Sequence, residues 1–163
     1  MGRVSFPARV GSESVRVSSK LNYAVAAMLE LASRAPEYIS VAELAARRHI
    51  PRTFLEQLLL RMKRRELTVS RRGPDGGYAL GRSPGEISLA DIYAAVEGPL
   101  KLCDHEKTCG DAPSSAVLNA VWRDLEREIR DFLAGITLED LLHRAEEVGP
   151  KGIPLAHSYT FSI

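Results

Sequence analysis

The tightest constraint on this chain lies between Ser40 and Ser83. There, two short helical patterns meet at a sharp break and run into the segment Arg71-Arg72-Gly73-Pro74-Asp75-Gly76-Gly77-Tyr78. Ser40 and Glu43 have capping-box spacing: the hydroxyl can accept from the Glu43 amide while the carboxylate reaches back to the Ser40 amide. The helix they open, Val41 to Arg48, is compact and amphipathic. His49-Ile50-Pro51 breaks it, and Pro51 suits the first turn of the next helix, where its missing N–H would have had no partner. In that helix, which begins near Arg52, Leu55, Leu58, Leu59 and Met62 recur at helical spacing and mark a buried face. Arg52, Thr53, Glu56 and Gln57 are left on other faces near its start. Leu67-Thr68-Val69-Ser70-Arg71 alternates and is β-prone, and Gly76-Gly77 is the flexible point from which Tyr78-Ala79-Leu80 returns as a second strand. The pattern predicts a mainly α fold with a small β-hairpin wing: a winged helix-turn-helix.

Charge is segregated along the chain. From Val41 to Gly85 there are ten basic and four acidic residues, a net of +6, whereas Glu86 to Ile163 holds seven basic and fourteen acidic residues, a net of −7. The overall charge of +1 conceals this. A basic middle segment implies a localised surface for a polyanion, although Lys63-Arg64-Arg65 alone would equally suit a solvated helix end that complements the macrodipole.

The 163 residues suffice for a small domain with a dimerising extension. Residues 1–16 mix Gly, Ser, Pro and Arg without periodicity and read as a flexible arm. Residues 17–98 form the winged helix-turn-helix: Ser18 or Ser19 caps its first helix, and Ser88-Leu89-Ala90-Asp91 opens a later one ending near Val96. Residues 99–113 are a cysteine-containing loop. Residues 114–148 comprise a long helix, about Ser114 to Ala134, and a short terminal one capped by Thr137-Leu138-Glu139-Asp140. Val117, Val121, Leu125, Ile129 and Phe132-Leu133 recur every three or four residues in the long helix. That stripe exceeds what a small winged helix can cover, so it predicts packing against a second copy; packing within the subunit is the competing expectation. Residues 149–163 are a tail with no assignable element. No apolar run approaches membrane-spanning length and Met1 to Arg16 lacks a signal-peptide core, which points to a cytoplasmic protein with no membrane partner.

The chain resembles the Rrf-two family of bacterial winged-helix regulators over roughly Val17 to Leu142. The resemblance is carried by Ser19-Lys20-Leu21-Asn22-Tyr23-Ala24-Val25, Phe54-Leu55-Glu56-Gln57-Leu58, Arg72-Gly73-Pro74-Asp75-Gly76-Gly77-Tyr78, Ala94-Ala95-Val96-Glu97-Gly98-Pro99-Leu100, and Val121-Trp122 with Ile136-Thr137-Leu138. It implies a homodimeric, sequence-specific transcription regulator whose second helix-turn-helix segment enters the major groove of duplex DNA. Thr53, Glu56 and Gln57 then match base-reading positions, and the chemistry agrees: Gln pairs bidentately with adenine and Glu accepts from the cytosine amino group. Arg72, beside Gly73 in the wing, matches the arginine that reaches a narrow minor groove. Arg52, Lys63, Arg64 and Arg71 suit phosphate contacts, which position without reading sequence. For Glu56, a solvated residue paired with a nearby arginine is the plainer alternative.

Cluster-binding members of that family carry three cysteines in the loop. Here Cys103 and Cys109 match the first two positions, but Ser115 and Ala116 stand near the third and Asn119 occupies the place of a ligating histidine. Two thiolates alone do not complete the four-ligand shell of a two-iron iron–sulfur cluster. The loop therefore implies one of four states. These are a cluster completed by His105, Asp104, Asp111 or a partner residue; a thiol switch, if the α-carbons approach within about 7 Å; zinc on Cys103, His105 and Cys109; or thiols with no sensory role, as in relatives that lack the cluster and respond to a small molecule or partner protein. An enzyme is not expected, since the four histidines are scattered and no nucleophile elbow, P-loop or dinucleotide fingerprint is present. The remaining competitor is a winged-helix protein-interaction module without specific DNA binding.

Overall fold

The computed structural model describes residues 17–102 and 113–148. Its elements run α1 (Ser19–Ser33), α2 (Val41–Arg48), α3 (Arg52–Arg64), β1 (Thr68–Arg71), β2 (Gly77–Leu80), a 3₁₀ turn (Pro84–Glu86), α4 (Leu89–Val96), α5 (Pro113–Ala134) and α6 (Leu138–Val148). This is the winged helix-turn-helix with a long following helix that the sequence predicts.

Short polar side chains set the helix starts. Ser18, rather than Ser19, caps α1 by accepting from the Leu21 amide at 3.1 Å. Ser88 and Asp91 form a reciprocal box at the head of α4, and Thr137 and Asp140 do the same ahead of α6. At α2 only half of the expected box forms. Ser40 accepts from the Glu43 amide at 3.1 Å, but the Glu43 carboxylate turns away to Arg34 at 2.6 Å and Arg47 at 3.1 Å, because two guanidinium groups outcompete one neutral amide. α2 ends at His49, whose left-handed φ of 52° turns the chain sharply toward α3. Pro51 stands at the cap position, one residue before the first turn where the sequence suggested it.

β1 and β2 pair antiparallel, with Arg71 opposite Gly77 and Ser70 opposite Tyr78. On the far side of β2, Ile39 exchanges both backbone hydrogen bonds with Tyr78 at 2.9 Å, which adds a short third lane to the wing. Gly77 permits this approach: its φ is 152°, and a Cβ there would lie 2.2 Å from the Ile39 carbonyl oxygen. One core gathers Met28 and Leu31 of α1, Leu44 of α2, Leu55, Leu58, Leu59 and Met62 of α3, Ile92 of α4 and Leu138 of α6, all essentially without solvent contact. α6 thus packs back onto α1, and it is joined to the body by backbone hydrogen bonds from Leu89 to Ile136 at 2.8 Å and from Leu138 to Ile87 at 2.9 Å.

Candidate nucleic-acid interface

α3 buries its leucine row and leaves Arg52, Thr53, Glu56 and Gln57 in solvent, with Leu60 and Arg64 extending the exposed side by the three- and four-residue steps of a helix. No side chain caps its first turn. Arg52 Nε and Glu56 Oε1 lie 3.0 Å apart, the pairing anticipated as the plainer role of Glu56. Both groups are well exposed, and such pairs contribute only about 0–1 kcal/mol, so the carboxylate is readily released to another partner. Leu60, which the sequence reading missed, is an apolar residue 46% exposed on this polar face. Its signal was its spacing from Gln57 and Arg64.

At the other end of α3, Lys63 Nζ donates to Ser70 Oγ at 2.6 Å and links the helix to β1. The wing then projects Arg71, Arg72 and Gly73, all exposed. Gly73 has a φ of 112°, which L side chains rarely adopt, and its carbonyl accepts from the Gly76 amide at 3.0 Å to close the turn. Arg71 is held on two sides: it donates to the Asp75 carbonyl at 2.8 Å, and its guanidinium carbon lies 4.3 Å from the centre of the Tyr38 ring. Tyr38 did not figure in the sequence reading and Ser70 figured only as a strand residue, because both contacts depend on the hairpin being folded.

Several cations of the basic segment are engaged internally. Glu30, almost buried in α1, receives Arg48 at 2.7 Å and Arg47 at 3.5 Å. The hydrogen bond from Arg34, reinforced by the charges of Arg34 and Arg47, holds the Glu43 carboxyl below the ordinary glutamate range. Arg61 donates to the Val96 carbonyl at 3.1 Å and ties α3 to the end of α4. Next to it sits Glu97. Burial pushes its carboxyl up, but hydrogen bonds from Lys20 and Ser18 and the charges of Lys20 and Arg61 bring it net below the ordinary range.

Cys103, His105 and Cys109, the expected metal or redox residues, lie outside the described residues. Among the described residues no group of three or more His, Cys, Asp or Glu side chains is arranged to hold a metal ion. Immediately before Cys103, the Leu102 amide donates to Glu126 Oε1 at 2.7 Å; Glu126 is a nearly buried carboxylate on α5. Along α5, Val117, Leu118, Val121, Leu125 and Phe132 remain between 42% and 69% exposed. An apolar groove of about 610 Å³, lined by Leu21, Val25, Leu29, Leu133, Leu141 and Leu142, runs between α1 and α6. Among the described residues no helix is long and apolar enough to cross a membrane.

The family model described as "Rrf2: Iron-dependent Transcriptional regulator" matches residues 17–144. The HTH-type transcriptional regulator IscR of Xenorhabdus nematophila is 37% identical over 135 residues, spanning 81% of this chain and 82% of the relative. Among solved structures, T. potens IscR superposes with a TM-score of 0.68 at 33% identity, covering 91% of this chain and 98% of that one. CymR (YrzC), the global cysteine regulator of B. subtilis, also reaches 0.68 at 28% identity, covering 81% of this chain and 99% of that one.

Proposed function

Because the chain belongs to the Rrf2 family of transcription regulators, we infer that it binds duplex DNA as a homodimer, with one α3 and one wing per half-site. It is a DNA-binding regulator and not an enzyme. The observation that carries the reading in detail is the uncapped, polar, solvent-facing start of α3 on the same body as an arginine-bearing wing. Thr53, Glu56 and Gln57 read base edges in the major groove, and Leu60 is suited to a thymine methyl group. Arg52, Lys63 and Arg64 meet phosphates, and Arg72, presented by the Gly73 turn, enters the minor groove. The exposed stripe on α5 is the dimerising surface: an apolar row of this length is costly in water and is covered when two copies pair about a twofold axis. A regulator of this kind works where the chromosome is, in the cytoplasm.

The loop between α4 and α5 is the sensing element in this reading. Its support is the position of Cys103 and Cys109 directly after a segment held at two points, Glu97 on Lys20 and Leu102 on Glu126. Two thiolates and His105 supply three donors, one fewer than a two-iron cluster takes from protein. Bound there, an iron–sulfur cluster would supply redox sensitivity, but a further donor is needed to complete its shell, and the thiol pair alone can respond to oxidants.

The test is the salt dependence of binding to a duplex selected by the protein from a random library. An interface that neutralises phosphates loses affinity linearly in log–log form, with a slope of roughly −0.9 per phosphate contacted. Salt-independent association, or equal affinity for a scrambled duplex, would overturn the assignment.

A further inference from the structure

We propose that Tyr38 is a positioning residue for DNA recognition, and that Arg71, rather than contacting phosphate, is the strut through which Tyr38 fixes the wing that presents Arg72. The inference rests on the DNA-binding reading above and assigns a role to two side chains which that reading leaves unplaced.

Four observations converge. Residues 38–39 are carried against the wing by the paired backbone hydrogen bonds between Ile39 and Tyr78, so Tyr38 belongs to the body of the molecule while bordering the hairpin. Arg71 stands opposite Gly77 on β2, and its guanidinium carbon lies 4.3 Å from the centre of the Tyr38 ring. That distance falls within the range in which a cation is drawn to the negative face of an aromatic ring. On its other side the same guanidinium donates to the Asp75 carbonyl at 2.8 Å, inside the turn that joins the two strands. Arg71 therefore ties the turn of the wing to the body at Tyr38, and Arg72 and Gly73 lie between Arg71 and Asp75, the two residues its hydrogen bond joins.

The physical consequence concerns entropy more than contact. A two-stranded hairpin is marginally stable alone, and an arginine at the tip of a loose hairpin must be ordered when it enters a groove, which subtracts from affinity. Holding Arg71 between a ring and a carbonyl orders the tip in advance. It also turns Arg71 toward the ring and the turn, so that its guanidinium is not free to follow a phosphate.

The experiment measures affinity for the library-selected duplex by fluorescence anisotropy over a series of salt concentrations, using the full chain and the variants Tyr38→Leu, Tyr38→Phe, Arg71→Gln and Arg72→Ala. Tyr38→Leu is expected to weaken binding about two- to fivefold, the loss that a partly exposed cation–π contact allows. Tyr38→Phe, which keeps the ring, should bind as the parent does. Arg71→Gln should weaken binding to a similar degree with the salt slope unchanged, whereas removing a phosphate contact lowers the slope by about one. The double variant Tyr38→Leu/Arg71→Gln should be no weaker than either single change. Parental affinity in Tyr38→Leu, loss of affinity in Tyr38→Phe, or a reduced salt slope in Arg71→Gln would each overturn the inference. Arg72→Ala separates the two levels of the reading: if it and the parent bind the duplex no better than a scrambled one, DNA recognition itself fails. If it weakens binding while Tyr38→Leu does not, only the strut fails.

Discussion

The body made by α1 to α4 and the long helix α5 treat apolar residues in opposite ways. In α3 each leucine of the row Leu55, Leu58, Leu59 is enclosed by neighbours from the same chain. In α5 a row of equal periodicity stays open to water, with Phe132 69% exposed and Val117 66% exposed. The sequence periodicity is the same in the two helices, so it marks a face to be covered without saying by which chain. The difference teaches that the body covers its apolar residues with its own sequence, whereas the long helix leaves much of its apolar row uncovered among the described residues.

The contrast can be broken at several points. Leu59→Ala should destabilise the fold by about 2–5 kcal/mol in urea denaturation, since it opens a cavity in a closed core. Leu118→Ala, at 50% exposure, should cost under about 0.5 kcal/mol at protein concentrations too low for pairing; equal costs would erase the distinction. Leu125→Asp should weaken self-association by roughly 2 kcal/mol or more, because it places an unpaired charge where apolar surface is to be buried. Sedimentation of the variant as a dimer of parental affinity would reassign the stripe. Arg72→Ala tests the body's own outward face and should reduce affinity for the selected duplex by about 1–3 kcal/mol; an unchanged gel shift would remove the wing from recognition.

The smallest effect concerns acid. Glu97 is net lowered, with burial opposed by Lys20, Ser18 and Arg61. Its contribution to stability is therefore present above the ordinary glutamate value of about 4.5 and is lost as pH falls through its lower folded-state value. Glu97→Gln should flatten the melting temperature against pH in that window, while a profile as steep as the parent's would place the acid sensitivity elsewhere.

Much of this architecture could be read from local signals. Ser18, Ser88 and Thr137 mark helix starts because capping needs only residues three apart, and Gly76-Gly77 marks the hairpin because few other residues accept its backbone geometry. What escaped reading is non-local. The carboxylate of Glu43 was predicted to cap its own helix, yet Arg34 reaches it from the end of α1. The Ile39–Tyr78 pairing is too short to leave a periodic trace. The 3₁₀ turn at Pro84–Glu86 was also missed, although Ser83 and Glu86 have capping spacing and the carboxylate does receive the Ser83 amide at 3.2 Å. On the outer side of α3, the periodicity put Arg52, Thr53, Glu56 and Gln57 off the buried face, where they are exposed, but it carries no sign that Arg71 leans on Tyr38.

The backbone exchange between residues 87–89 and 136–138 bears on how a signal would travel. With Glu126, about two turns before its end, gripping Leu102 and this short clasp just past its end, α5 is moored at two points in its second half, like a beam clamped at one end. A displacement of Leu102 would then swing the unclamped first half of the beam, and in the proposed dimer the angle between two such beams would set how far apart two reading heads sit along a duplex.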